Sequence, residues 1–214
     1  MNETVKVDPK RSDPDLLERI ANVVRSGGIA VFPTETFYGL GGLAADEGAV
    51  KKIFLLKGRE ASKALPVLLP DAQALSWVTD SHDRILRVLV ETFWPGPLTI
   101  VVRLSEPSRF PAAGKEGTLA VRVSSHPIAA ALARMCGEPV IATSANISGG
   151  KSPRTIGDVP ASVIEGADLS LDAGPLPVSK GSTVVDITCS PPRLIRDGDV
   201  PYRKVADALC INTD

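Results

Sequence analysis

The chain has few of the residues that do covalent or metal chemistry: two histidines and three cysteines in 214 residues. Cys136, Cys189 and Cys210 are odd in number, widely spaced and without a CxxC partner, which argues against a disulfide framework or a zinc site and for reduced thiols in a cytosolic protein. His82 and His126 stand beside Asp83 and Pro127 at expected helix starts, where capping or surface roles outweigh catalysis. The segment from Met1 to Pro14 is polar, with no apolar core of signal-peptide length, and no later run approaches a membrane span. A soluble, cytoplasmic protein is expected, with no membrane partner. A formal charge of -1, from 24 basic and 25 acidic residues, creates no global field for a duplex nucleic acid. Only a local patch near Lys51, Lys52, Lys57, Arg59 and Lys63 could serve that purpose. Internal repeats are not evident.

Hydroxyls, cations and glycines are present, in three separated clusters. Pro33-Thr34-Glu35-Thr36-Phe37-Tyr38-Gly39-Leu40-Gly41 comes first, Lys57-Gly58-Arg59 second and Thr143-Ser144-Ala145-Asn146 third. A flexible ammonium, a planar guanidinium and hydroxyls beside backbone that can come close are what a polyanionic nucleotide needs. If Thr34 and Thr36 lie in an extended segment, the period of two puts both hydroxyls on one face. Lys57 and Arg59 likewise share one side of an extended turn, with Gly58 between them. Lys-Gly-Arg also reads as a helix C-cap. Ser144 and Asn146 end an expected strand at its carboxyl edge, where α/β sheets bind ligands, though turn-forming roles suit them equally. Gly149-Gly150-Lys151-Ser152 ends like a P-loop, but Ala145 replaces the required first glycine and Pro153 opposes the helix that must follow. The set contains no histidine or cysteine, which points to binding, orientation and charge stabilisation.

Length and composition fit one domain over residues 1–214, with a core of about 13–200 and a short C-terminal helix. Apolar runs of strand type alternate with helical periods, so a mixed sheet flanked by helices is expected. Helices are predicted from Asp13-Pro14 to Gly27, from Asp46, from His82 to Phe93, from Pro127 to Met135 and from Tyr202. Strands are predicted at Ile29–Phe32, Leu65–Leu69, Leu98–Leu104, Thr118–Val123, Val140–Thr143, Thr183–Ile187 and Arg193–Ile195. The Pro/Gly-rich stretch from Ser148 to Pro160 reads as a surface loop or lid, and the loop between Leu104 and Thr118 as a mobile rim.

Taken together, the residues resemble the YrdC/Sua5 family, proteins that make L-threonylcarbamoyladenylate for adenosine 37 of tRNAs. The resemblance runs from Gly27 through Gly198. It includes the three clusters above, Trp94-Pro-Gly-Pro-Leu-Thr99, Ala120-Val-Arg122, His126-Pro127, Gly181-Ser-Thr183 and Arg196. Each motif is weak alone, and the set in this order is specific. The resemblance implies an α/β (α+β) fold, a twisted mixed sheet around a deep basic cavity, and adenylyl transfer from ATP to N-carboxylated L-threonine. It implies a catalytic set of Lys57, Arg59, Ser144 and Asn146. It places ATP on Arg59, Lys63, Thr118, Ser144, Asn146 and Arg196, and L-threonine on Thr34, Thr36, Arg122 and Ser182. Mg²⁺ would travel with the nucleotide, with no metal site on the protein. The implied partners are a downstream threonylcarbamoyl transferase machinery and tRNA.

Two departures stand out. Where many members carry a histidine that can touch threonine, this chain has Leu68, and Lys63 stands in the segment before it. The sequence ends soon after Arg196, as expected of the short, single-domain form. Two other readings compete. Carbamoyl adenylation, as in hydrogenase maturation proteins, would bring acylphosphatase and zinc-finger segments, which are not found here. A non-catalytic RNA-binding relative would use the same kind of basic cavity for RNA phosphates.

Overall fold

The computed structural model describes residues 3–11, 13–58, 64–114 and 116–211, and its first element is one that the polar N-terminus does not announce, strand β1 (Glu3–Lys6). Helix α1 (Pro14–Arg25) follows as expected. Asp13 caps it by accepting from the Asp15 N–H, Pro14 takes the first turn, and Leu17, Ile20, Ala21 and Val24 form the buried stripe. Strands β2 (Ala30–Pro33) and β3 (Tyr38–Gly41) make an antiparallel hairpin that pairs Ala30 with Gly41 and Pro33 with Tyr38. Helix α2 (Glu47–Lys57) is capped by Asp46, whose carboxylate accepts from the Ala49 N–H, and ends at Gly58 with φ 54°, a left-handed backbone that a Cβ would strain.

Strand β4 (Val67–Leu68) is shorter than the predicted run, and helix α3 (Arg84–Phe93) is capped by Asp83 rather than begun at His82. Strands β5 (Leu98–Arg103) and β6 (Thr118–Arg122) pair antiparallel, as the spacing predicts. The loop between them is anchored, with Phe110 and Ala112 buried and the Leu65 N–H donating to Ala112 O at 2.9 Å. Helix α4 (Pro127–Cys136) starts at the cap His126. The predicted strand Val140–Thr143 is corrected by the structure: it divides at Ala142 into β7 (Val140–Ile141) and β8 (Thr143–Ser144), which belong to different sheets. Helix α5 (Ala161–Gly166), strands β9 (Leu169–Asp172), β10 (Thr183–Asp186) and β11 (Arg193–Arg196) and helix α6 (Tyr202–Leu209) complete the order.

The fold is mixed α/β, and among the described residues its strands form two sheets. One has the order β1-β9-β2-β3-β8, the other β11-β10-β5-β6-β4-β7. Parallel and antiparallel pairs occur in both: β2 runs parallel to β9 and antiparallel to β3, and β5 runs parallel to β10 and antiparallel to β6. Helices α1 and α4 cover one face of the first sheet, where Ile20, Val24, Leu132 and Ala133 pack with Phe32 and Leu171. A larger apolar cluster joins β3, α2, β5, β6, α3 and α6. Each fully buried aliphatic side chain in these clusters contributes about 1.5–3 kcal/mol. The sheets meet where β3 passes β7, and there Gly41 is required. A Cβ on it would lie 1.8 Å from the Ile141 carbonyl oxygen.

Candidate functional site

A cavity of about 330 Å³ lies where the two sheets face each other. The turn after β2 contributes Thr34 and Thr36, β8 contributes Ser144, β6 Arg122, the entry to β10 Ser182 and the end of β11 Arg196. Leu68 makes part of the wall aliphatic. Residues from Thr34 to Arg196 thus share one space, because strands that neighbour one another in space can be remote in sequence.

Thr34 and Thr36 meet as expected, but not in an extended segment. They belong to the four-residue turn Thr34–Phe37 that closes the β2–β3 hairpin, and their hydroxyl oxygens are 3.0 Å apart. Thr34 is the keystone of that turn: its Oγ1 donates to Phe37 O at 2.7 Å and accepts from the N–H groups of Thr36 and Phe37 at 3.2 Å each. With the Thr34 hydrogen spent on Phe37, the Thr36 hydroxyl donates to Thr34. The remaining Thr36 lone pairs then face the cavity as acceptors.

The residue between the threonines, which sequence reasoning passed over, points elsewhere. Glu35 accepts from Arg122 Nη1 through one oxygen and from Ser124 Oγ through the other. Side-chain exposures of 14% for Glu35 and 7% for Arg122 make this a largely desolvated pair. Burial lowers the Arg122 pKa and Glu35 opposes that shift. No local signal marks Glu35 in the sequence, because Thr34–Phe37 form a turn rather than extended backbone and its partner Arg122 is remote in the chain.

On the opposite wall Ser182 Oγ accepts from Thr99 Oγ1 at 2.8 Å and from Arg196 Nη2 at 2.9 Å. Its own hydrogen is left to donate into the cavity. Arg196 also donates from Nε to Ser182 O at 3.0 Å, so its hydrogen bonds go to neutral oxygens. Burial, and after it the proximity of Arg122, lowers the Arg196 pKa. Arg196, expected beside ATP, therefore stands on the hydroxyl of Ser182, a residue expected to hold L-threonine. Thr99 is a further wall residue that the sequence offered only as part of a motif.

Lys57 does not line the cavity but lies behind it. Its ammonium, buried at 2% residue exposure, donates to the carbonyls of Ser144 and Asn146 and, at 3.2 Å, to Asn146 Oδ1. Ser144 Oγ donates to the same Oδ1 at 2.6 Å, and Asn146 Nδ2 donates to Gly150 O at 2.6 Å. The Lys57 carbonyl accepts from Ser148 N–H at 2.8 Å, and the Tyr38 N–H donates to Pro153 O at 2.9 Å. The segment 146–153 is thereby tied to the site at several points and holds Ser152 in the cavity wall. No helix follows Lys151-Ser152 directly, in keeping with rejection of a P-loop there. Thr118 shares the β6 face of Ala120 and Arg122 by its spacing but is not in the cavity wall. Arg59 and Lys63 lie outside the described residues.

The C-cap reading of Gly58 holds, and Lys57 stands not in an extended turn but as the last residue of the helix, from which it reaches the Ser144 carbonyl of β8. The lysine patch does not form a free basic stripe among the described residues: Lys51 pairs with Glu47 at 2.6 Å and Lys52 with Asp168 at 2.8 Å. Among the described residues no three histidine, cysteine or carboxylate side chains gather as a metal site, and no helix is long and apolar enough to cross a membrane.

The family model Sua5_yciO_yrdC, described as "Telomere recombination", matches residues 22–198. A threonylcarbamoyl-AMP synthase from Pyrococcus abyssi is 38% identical over 189 residues, which cover 88% of this chain and 56% of that protein. The chain thus spans little more than half the length of this relative. A Mycobacterium tuberculosis protein is 32% identical over 213 residues, covering 99% of this chain and 97% of its own length. Among solved structures, P. abyssi Sua5 complexed with L-threonine superposes with a TM-score of 0.88 at 34% identity, over 97% of this chain and 61% of that one. The motifs, the two-sheet fold and these matches agree, and the chain belongs to the Sua5/YciO/YrdC family.

Proposed function

We propose that this chain is a nucleotidyltransferase that forms L-threonylcarbamoyl-AMP and pyrophosphate from L-threonine, bicarbonate and ATP, for the t6A37 modification of tRNA. The observation that carries the reading is the polarity of the cavity wall. Thr36 offers lone pairs to an ammonium, while the Ser182 hydroxyl and the Arg122 and Arg196 guanidiniums offer donors to a carboxylate. That is the pattern of an amino-acid zwitterion. The name of the P. abyssi relative, and the L-threonine in the P. abyssi structure, support L-threonine as that amino acid.

In this reading the threonine amine and bicarbonate give a carbamate with loss of water. A carbamate oxygen attacks the α-phosphorus of ATP, the bond to the bridging oxygen breaks, and pyrophosphate leaves. Little proton chemistry is needed at phosphorus, so positioning and charge stabilisation are the protein's tasks. Ser144, at the cavity wall, and Asn146 are held by Lys57 as one turn. With Arg59 they form the catalytic set. Arg59, Lys63, Thr118, Ser144, Asn146 and Arg196 would hold the nucleotide, and Thr34 supports the threonine wall by fixing Thr36. The site offers hydroxyls, an amide and guanidiniums, which suits a Mg²⁺ brought in on the triphosphate. Residues 1–214 act as one domain in the cytoplasm and hand the adenylate to a threonylcarbamoyl transferase machinery acting on tRNA.

The test is incubation of the chain with ATP, bicarbonate and single amino acids, with mass detection of acyl-adenylate and a pyrophosphate assay. L-threonine is expected to react and valine, which lacks the hydroxyl, to react poorly, since an unpaired buried polar group costs about 1–3 kcal/mol. Absence of any adenylate refutes the activity; equal rates refute readout of the side-chain hydroxyl.

A further inference from the structure

Neither the motifs nor the family resemblance assigns a role to Glu35, yet its carboxylate is paired with a cation of the cavity wall. Among the described residues lining the cavity, the charged ones are Arg122 and Arg196. Glu35 stands behind Arg122 and gives it one carboxylate oxygen, the other being taken by Ser124 Oγ. Arg196 bonds only the neutral oxygens of Ser182 and, among the described residues, has no carboxylate within salt-bridge distance. Among the described residues the wall therefore carries two cations, Arg122 with a carboxylate partner and Arg196 without one.

A neutral acceptor could have held Arg122 in place as well. An ionised carboxylate in a desolvated position is costly and contributes something an amide does not, namely a full negative charge. We propose that Glu35 sets the charge selectivity of the amino-acid end of the cavity: by cancelling Arg122 it leaves one net positive charge, matched to the single carboxylate of a neutral amino acid and poorly matched to dianions. This rests on the reading of that wall as the amino-acid subsite. Glu35 touches no ligand in this scheme and acts through Arg122. Without it, two uncompensated guanidiniums would face each other and draw in dicarboxylates, which would compete with a zwitterion.

Isothermal titration of the full chain with L-threonine and with malonate, a small dianion, tests the inference. In Glu35→Gln the ratio of the two dissociation constants is expected to move toward malonate by roughly tenfold, the effect of one added unit charge in a partly desolvated site. The double variant Glu35→Gln with Arg122→Gln returns the count to one charge, and its ratio is expected back within about threefold of wild type, inside the usual spread of such effects. An unchanged ratio in Glu35→Gln, or a double variant that stays with the single one, overturns the role of Glu35. Should Glu35→Gln not fold, Arg122→Gln reads the same count from the other side: the ratio must move away from malonate, and no movement overturns the inference. Failure of the wild-type chain to bind L-threonine would instead overturn the functional reading, and the malonate affinities alone would still decide the role of Glu35.

Discussion

Two lysines at the residue scale illustrate how position outweighs motif. Lys151 completes a P-loop ending but is exposed on the loop, whereas Lys57 is buried and bonded to the turn that presents Ser144 and Asn146. Lys57→Ala is expected to lower adenylate formation at least about tenfold, equivalent to roughly 1.4 kcal/mol of transition-state stabilisation, and Lys151→Ala to cost clearly less. Steady-state rates of both variants, with circular dichroism as a fold control, decide it. The reverse order would remove Lys57 from the reaction. His126 supplies a second residue-scale expectation. Burial lowers its pKa, with Glu35 acting in the opposite direction, and its neutral Nδ1 accepts from the Ile128 N–H at 3.3 Å to cap α4. The folded value lies below that of the unfolded chain, about 6.5, so the stability linked to neutral His126 is complete above that pH. As pH falls the unfolded chain takes the proton first, and the contribution is lost on the way to the folded value. The urea midpoint should therefore be lower at pH 5.5 than at pH 7.5, and His126→Asn, which caps without titrating, should narrow the gap. An equal gap in both proteins would exclude His126 as the source.

Elements with local signals stand where the sequence predicts them. Asp13, Asp46 and Asp83 each cap a helix through a side-chain oxygen, and their apolar periods face inward. These signals are legible because a cap and a helical stripe involve residues within a few positions of each other. The strand predicted over Val140–Thr143 was one run of apolar residues in sequence but two short strands in space, because β7 pairs with β4 while β8 pairs with β3. Strand β3 itself, Tyr-Gly-Leu-Gly, has no alternation to read, and its glycines are explained only by what passes beside them. Gly41→Ala would place a methyl 1.8 Å from Ile141 O, so the two sheets would have to move apart. A loss of about 1–3 kcal/mol is expected from such overpacking. Denaturant titration measures it, and an unchanged midpoint would show that the sheets do not depend on this close passage.

For the whole molecule, one peptide step at Ala142 carries the chain from one sheet into the other, and residues of both sheets line one cavity. Such coupling predicts a single cooperative unfolding transition, with calorimetric and van't Hoff enthalpies that agree. Two separated transitions would show that the layer formed by α1, α4 and the first sheet is a unit of its own, and would refute the single-domain proposal. The family, the helices other than α5, and the wall residues Thr34, Thr36, Arg122, Ser144, Ser182 and Arg196 were legible in the sequence itself, since motif order, caps and periodicity are written in near neighbours. The charge state of the cavity was decided only by tertiary structure. Glu35 and Arg122 are 87 residues apart, as are Lys57 and the Ser144 carbonyl it holds. Nothing local distinguishes a glutamate that will be buried against a guanidinium from one that will remain in water. Desolvation and pairing arise only when the strands that carry the two groups are brought side by side.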